Sequence, residues 1–281
     1  MRLALLTTTD MKSDRAMDFA RMIASVAENV PPGVELKHYV LLQRATEAQR
    51  SEVARAIPHP ATVLSTDGRL SLSAARNQML ARARADGQLE ADTIVGFPDD
   101  DCWYLPGFLA SLVALFETRR DLGLLISRVS LSPVDDWPAD GGERAGGRDV
   151  LRRSSSNGMF LRGDVVARIG DFDVTLGLGT PSNSGEDTDY ALRGWLASPL
   201  TLFVDRPLVG HKEPDLASIT KYFGGNMLVA SRYAPRSPAL FLEYVRKFGV
   251  GSYLVLRQRL AMADFLSAIQ GSMAAFGRST G

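Results

Sequence analysis

The chain has 281 residues, 45% hydrophobic and 23% charged, which is enough for one large α/β domain or a domain with a helical appendage and is far from a disordered profile. Lys plus Arg and Asp plus Glu are both 32, so no global field draws in nucleic acid, and any anion binding must be local. A single cysteine, Cys102, excludes an internal disulfide and a cysteine-based zinc cluster, which fits a cytoplasmic location.

The opening Met1-Arg2-Leu3-Ala4-Leu5-Leu6 reads as a buried first strand, Leu3 to Leu6, and not as an export signal. A helix from about Ser13 to Asn29 and a strand from Leu36 to Leu42 follow in βαβ order. Pro31-Pro32-Gly33 separates them. Next come a helix from Glu47 to Ala56, a short strand from Thr62 to Leu64 after Pro58-His59-Pro60, and a helix from Ser73 to Ala85. Thr93 to Phe97 is a short buried strand that runs directly into Asp99, Asp100 and Asp101. Those carboxylates therefore stand at the carboxyl end of a sheet strand, where open α/β sheets bind ligands.

Pro106 to Arg119 has helical spacing, and Gly123 to Val129 forms another strand. Asp135 to Arg148, rich in glycine and mixed charge, reads as a long loop, an expected surface loop or active-site flap. A strand at Met159 to Leu161, a helix from Val165 to Ile169, a Gly-rich loop to Gly185, a helix from Asp187 to Ala197 and a strand from Leu200 to Val204 complete this part. Beyond His211, Leu216 to Tyr233 and Pro238 to Phe276 look helical, interrupted by Gly224-Gly225, Pro235 and Gly249-Val250-Gly251. No stretch approaches the roughly 18 apolar residues of a membrane span.

Three adjacent carboxylates raise one another's pKa, and a bound cation removes the conflict. Mg2+ or Mn2+ would suit these oxygen ligands and commonly bridges protein carboxylates to phosphate oxygens. A second acidic cluster, Gly185-Glu186-Asp187-Thr188-Asp189, opens a helix, where acids either complement the dipole or supply a base. His211 follows a strand, whereas His38 alternates along a strand and His59 sits in a proline-flanked turn, so those two read as structural. Arg76 stands in the first turn of its helix, either on the surface or in contact with a diphosphate.

In order along the chain, Ser71-Leu72-Ser73-Ala74-Ala75-Arg76-Asn77, Phe97-Pro98-Asp99-Asp100-Asp101 with Pro106-Gly107-Phe108, Ile169-Gly170-Asp171-Phe172-Asp173, Gly185 to Arg193, and His211 resemble the family 2 glycosyltransferases. The resemblance spans roughly residues 1 to 213. It implies a GT-A fold, a Rossmann-like mixed sheet flanked by helices; the helical residues 214 to 281 beyond it read as an extension packed on the domain, on a partner or on a membrane surface. It also implies a nucleotide-diphosphate-sugar donor, a divalent metal, Mn2+ or Mg2+, and inversion at the anomeric carbon by direct displacement.

Carried onto this chain, the resemblance makes Asp99 and Asp101 the Asp-x-Asp motif, with Asp101 as metal ligand and Asp99 or Asp100 supporting the ribose or diphosphate. Asp187 becomes the base that takes the acceptor's proton, supported by Glu186. His211 falls near the metal, Arg76 near the donor, and Thr7 and Thr8, at the end of the first strand, where the base is held. One departure is that Gln43-Arg44 stands where the family usually has acids that contact the base.

Two enzymatic rivals fit less well. A haloacid-dehalogenase-type phosphohydrolase needs its Asp-x-Asp near the N-terminus, and a nucleotide-sugar pyrophosphorylase needs a Gly-rich basic loop where Thr7-Thr8-Thr9-Asp10 stands. A catalytically degenerate domain that only binds a nucleotide, or that serves as a scaffold of a polysaccharide assembly complex, is the non-enzymatic alternative. Leu260, Met262, Phe265, Leu266, Ile269, Met273 and Phe276 form an apolar stripe with basic residues upstream, suited to a membrane surface, a homodimer or the domain itself. The acceptor, a glycan or lipid-linked molecule, is expected to meet residues 135 to 148 and 221 to 233.

Overall fold

In the computed structural model, which describes residues 1–212 and 220–278, the chain builds one nine-stranded mixed sheet with helices on both faces. The first half supplies β1 (Arg2–Asp10), α1 (Ala16–Asn29), β2 (Glu35–Gln43), α2 (Glu47–Ala56), β3 (Ala61–Thr66), α3 (Leu72–Ala85), β4 (Thr93–Gly96), β5 (Trp103–Tyr104), α4 (Phe108–Thr118) and β6 (Leu122–Ser130). The second half supplies β7 (Glu143–Arg144), α5 (Gly147–Arg153), β8 (Met159–Arg162), α6 (Gly163–Ile169), α7 (Glu186–Ala197), β9 (Leu200–Gly210), α8 (Phe223–Tyr233), α9 (Pro238–Leu256) and α10 (Met262–Ala275). Strand order is β3-β2-β1-β4-β8-β6-β9-β5, with β7 also on β9. This is the expected mixed sheet flanked by helices, followed by C-terminal helices.

Strand alternation divides the core. Ala4 and Leu6 of β1, with Tyr39 and Leu41 of β2, pack on one face, while Leu3, Leu5, Val40 and Leu42 pack on the other. β1 runs parallel to β2 and β4, β8 is antiparallel to both β4 and β6, and β6 is parallel to β9. Hence β1, β2, β4, β6 and β9 all end at the same edge of the sheet. Arg162, at the end of β8, closes the opposite side by donating to the carbonyls of Ala91, Phe116, Arg119 and Leu122 at 2.9 to 3.1 Å. A buried guanidinium without a carboxylate partner is tolerated there because its donors meet backbone acceptors.

Several boundaries differ from the sequence reading. β1 continues to Asp10, so Thr7 lies inside the strand. The expected loop from 135 to 148 contains β7, paired with β9, and the start of α5. β9 extends to Gly210, because pairing with β6 and β5 satisfies its backbone beyond the apolar run. The helical reading of Leu216 to Tyr233 falls partly on residues 216–219, outside the described residues, and the described helix begins at Phe223.

Gly249 and Gly251 do not interrupt α9, which ends at Leu256 and turns through Arg257 to Leu260. A Cβ on Gly251 would stand 2.2 Å from the Phe265 ring and 2.7 Å from Phe223, so glycine lets α9, α10 and α8 approach closely. α8 is itself stitched to the sheet side. Val229 and Tyr233 belong to the same core cluster as β1 and α7, Arg232 donates to Asp173 at 2.7 Å, and Tyr233 donates to Asp189 at 3.1 Å. No helix among the described residues is long and apolar enough to cross a membrane.

Candidate active site

At the carboxyl edge of β4 the aspartate triplet splits into three separate environments. Asp99 accepts from Asn157 Nδ2 at 2.9 Å and from Arg76 Nη2 at 3.0 Å, and its backbone N–H donates to Asn157 Oδ1 at 2.7 Å. Asp100 turns toward β1, accepting from Thr9 Oγ1 at 2.6 Å and from Arg15 Nη1 at 2.9 Å. Burial outweighs those partners and raises its pKa from its ordinary value.

Asp101 faces His211, whose Nε2 lies 3.1 Å from Asp101 Oδ1, and Arg15 Nη1 lies 3.3 Å from Oδ2. Burial opposes the charge on Asp101, but His211 and Arg15 outweigh it and lower its pKa. Burial likewise opposes protonation of His211, yet Asp101 and Asp99 raise its pKa.

The meeting of Asp101 with His211 is a product of sheet pairing. Trp103 and Tyr104 pair with Gly210 and Val209, and the His211 N–H donates to the Ser130 carbonyl at 3.0 Å. Ligand-capable atoms of Asp99, Asp101 and His211 lie within 4.8 Å of one another. Asp101 Oδ1 is buried and makes no well-aligned hydrogen bond, because the His211 contact is close but off-line. Two carboxylates, one imidazole and an unused buried oxygen fit a divalent cation.

The second acidic cluster begins α7. Gly185, with φ of 93°, supplies the left-handed turn that starts the helix, and a Cβ there would press on Val229 at 2.9 Å. Glu186 is buried, and its removal from water, with the Asp187 charge beside it, pushes its pKa up to about 7 against the pull of Arg76. Asp187 keeps part of its surface open. Desolvation raises its pKa, while Arg76 and the Thr188 and Ser156 backbone N–H groups oppose the rise.

Arg76 joins the clusters. Only 2% exposed, it reaches Asp99 through Nη2 and lies 3.5 Å from Glu186 Oε1 through Nη1. Its guanidinium also sits 5.3 Å from the centre of the Phe172 ring. The surface reading of Arg76 is therefore corrected. The short turn Ser156–Gly158 lies between the clusters as well, since Asn157 clasps Asp99 while the Ser156 N–H faces Asp187. Sequence reading did not single out Asn157, although the polar run Ser154 to Asn157 directly before an apolar strand is a signal of the same kind as the aspartates.

At the far end of β1 and β2, Thr7 is fully buried and its hydroxyl lies 3.0 Å from His38 Nε2, within the sheet. Its hydroxyl is thereby engaged within the sheet. His38 in turn stacks on His59, with Nδ1 2.9 Å from His59 Nε2, and burial lowers its pKa to about 3. Thr8 donates to the Leu41 carbonyl at 3.1 Å and accepts from Gln43 at 3.0 Å. The carboxylate of this corner comes from Asp10, which accepts from Arg44 Nε at 2.8 Å, and Gln43 Oε1 accepts from the Leu70 N–H at 2.7 Å. A cavity of about 450 Å³ opens beside it, lined by Arg69, Ser71, Gly179, Asn183 and Lys221 among others.

Comparisons agree with this architecture. The chain spans half the length of S. aureus TarS, to which it is similar over 98% of its own residues at 14% identity and a TM-score of 0.66. TarS 1–349 in complex with UDP-GlcNAc superimposes with a TM-score of 0.69 at 13% identity, over 98% of this chain and 81% of that one. The same fragment in complex with UDP gives 0.66 at 14% identity, over 98% and 83%. At such identities the likeness speaks for the fold. No curated protein matches the sequence. The profile described as Glycosyl transferase family 2 matches residues 18–162, more than half of the chain, and includes Arg76 and the aspartate triplet. By that match, the chain belongs to the family 2 glycosyltransferases.

Proposed function

We propose that this chain is an inverting glycosyltransferase that moves a sugar from a nucleotide-diphosphate-sugar donor to a hydroxyl of a glycan or lipid-linked acceptor. The observation that carries the reading is the pair of acidic clusters facing each other across buried Arg76, one rich in cationic partners and the other desolvated. Residues 1–213 form the catalytic unit in this reading, and 214–281 the helical extension.

Asp101 and His211, with Asp99 beside them, would hold Mn2+ or Mg2+. Such an ion, when bound, offsets the negative charge that develops on the departing diphosphate. Thr8 and the ends of β1 and β2 lie on the nucleoside side, and Asp99 and Asp100 fix the donor's register. Arg76 orients Asp99 and Glu186 and carries the cation of this site on the donor side.

Asp187 is the base. The acceptor oxygen attacks the anomeric carbon, its proton passes to the Asp187 carboxylate, and the carbon–oxygen bond to the diphosphate breaks with its electron pair leaving on the nucleoside diphosphate. A raised pKa suits that task, because a base with a pKa nearer the working pH accepts a proton more readily. Glu186 supports Asp187, and the loops 135–148 and 221–233 form the acceptor side.

Calorimetric titration of UDP, GDP and dTDP, with and without Mn2+, tests the donor half of the proposal. One nucleotide is expected to bind in a metal-dependent manner and to lose that binding in Asp101→Ala. No binding of any nucleotide under either condition would remove the transferase reading and leave the degenerate scaffold.

A further inference from the structure

The cationic and the apolar surplus of this neutral chain both fall in its C-terminal segment. From residue 220 onward the sequence has eight Lys or Arg against two acidic residues. One of those acids, Glu243, is buried and already held by Arg148, Arg152 and Arg246. Among the described residues, nine of the fifteen exposed large hydrophobic side chains also lie beyond residue 238. Scattered exposed apolar residues need no explanation, but a concentration of them does.

α9 and α10 pack as an antiparallel hairpin, with Tyr244 bonded to Ser272 at 3.1 Å and Gly251 against Phe265. The tip of that hairpin exposes Leu256 (80%), Met262 (57%), Leu266 (56%) and Tyr253 (54%). Between them the turn carries Arg257 and Arg259, both exposed, and the Arg257 guanidinium lies 5.9 Å from the centre of the Tyr253 ring. Among the described residues of the hairpin, Asp264 is the exposed acid.

We infer that this tip docks on a bilayer surface containing anionic lipid, with the apolar side chains entering the headgroup boundary and the arginines meeting lipid phosphates. Charge decides between occupants. A second copy of this chain would bring the same arginines against one another, whereas an anionic bilayer accepts both the cations and the apolar side chains. An aromatic ring with a cation over its face is also a natural interfacial pair.

The test is co-sedimentation of the full chain with sucrose-loaded vesicles of phosphatidylcholine alone or with one third phosphatidylglycerol, alongside light scattering of the free protein. Binding is expected to be roughly thirtyfold tighter on the anionic vesicles, from two basic residues near such a surface, and to weaken with added salt. Arg257→Glu with Arg259→Glu should erase the lipid preference, and Leu256→Ser with Leu266→Ser should reduce binding to both vesicle types. All four positions are exposed, and circular dichroism checks that the variants stay folded. Equal or absent sedimentation on the two vesicle types would overturn the inference. So would a dimer that dissociates in the Leu256→Ser, Leu266→Ser variant, since it would assign the face to a second copy. No nucleotide enters the assay, so its failure is separate from that of the proposed transferase.

Discussion

The two acidic clusters contain the same kind of side chain, and the fold treats Asp101 in the first in the opposite way to Glu186 and Asp187 in the second. Around Asp101 the structure gathers His211 and Arg15, and the carboxylate's pKa falls. Around Glu186 and Asp187 it withholds water and supplies Arg76 at a longer distance, and both pKa values rise. A carboxylate crowded by cationic partners is prepared to hold charge, whereas a desolvated one is prepared to exchange a proton. The comparison teaches that residue type alone does not assign a role, and that partner count and burial do.

The largest effect that would sharpen this contrast is Asp187→Asn. Transfer, followed by product chromatography, should fall by roughly 10² to 10⁴ while calorimetric nucleotide binding stays close to that of the unaltered protein. If nucleotide binding fell equally, the division of labour between the clusters would be broken.

Arg76→Met comes next. It leaves the Asp99 and Glu186 charges without their shared cation, and loss of one member of a buried pair costs about 3 kcal/mol or more, read as a lowered denaturant midpoint. Unchanged stability would mean that the clusters are not joined through Arg76.

Asn157→Ala should cost about 1–2 kcal/mol and weaken metal-dependent nucleotide binding, because Asp99 loses two aligned hydrogen bonds. Asp187 does not depend on the Asn157 side chain, so its pH dependence should persist.

The last variant, Glu186→Gln, sharpens the contrast through pH. Glu186 is raised from 4.5 to about 7, so the folded protein binds this proton more tightly than the unfolded chain. Its contribution to stability is complete below about 4.5 and is lost as pH rises through about 7. Glutamine does not titrate, so the variant's stability relative to the unaltered protein should increase across that window and then level off. Denaturant titrations at a series of pH values measure it, and a pH-independent difference would show Glu186 to be as exposed in effect as an ordinary glutamate.

Much of this was legible in the linear sequence because it is local. An apolar run that ends in three aspartates identifies a strand with its acids at the sheet edge, and Gly185 ahead of Glu186 and Asp187 identifies a helix that opens with acids. The glycines of the C-terminal region were the misleading part. Gly225 and Gly251 sit within helices, because what glycine supplied was room for a neighbour, which is a property of two elements and not of one.

The sequence by itself determined the βαβ order, the alternation that splits each strand between two cores, and the candidates for chemistry, since periods of two and 3.6 residues are written in adjacent side chains. Only the tertiary structure decided that His211 meets Asp101 through the pairing of β9 with β5, that Asn157 clasps Asp99, that Arg76 is buried between two clusters, and that Thr7 is consumed by His38. Those contacts join residues 23 to 110 positions apart. Their existence depends on sheet order and register, which no local pattern encodes.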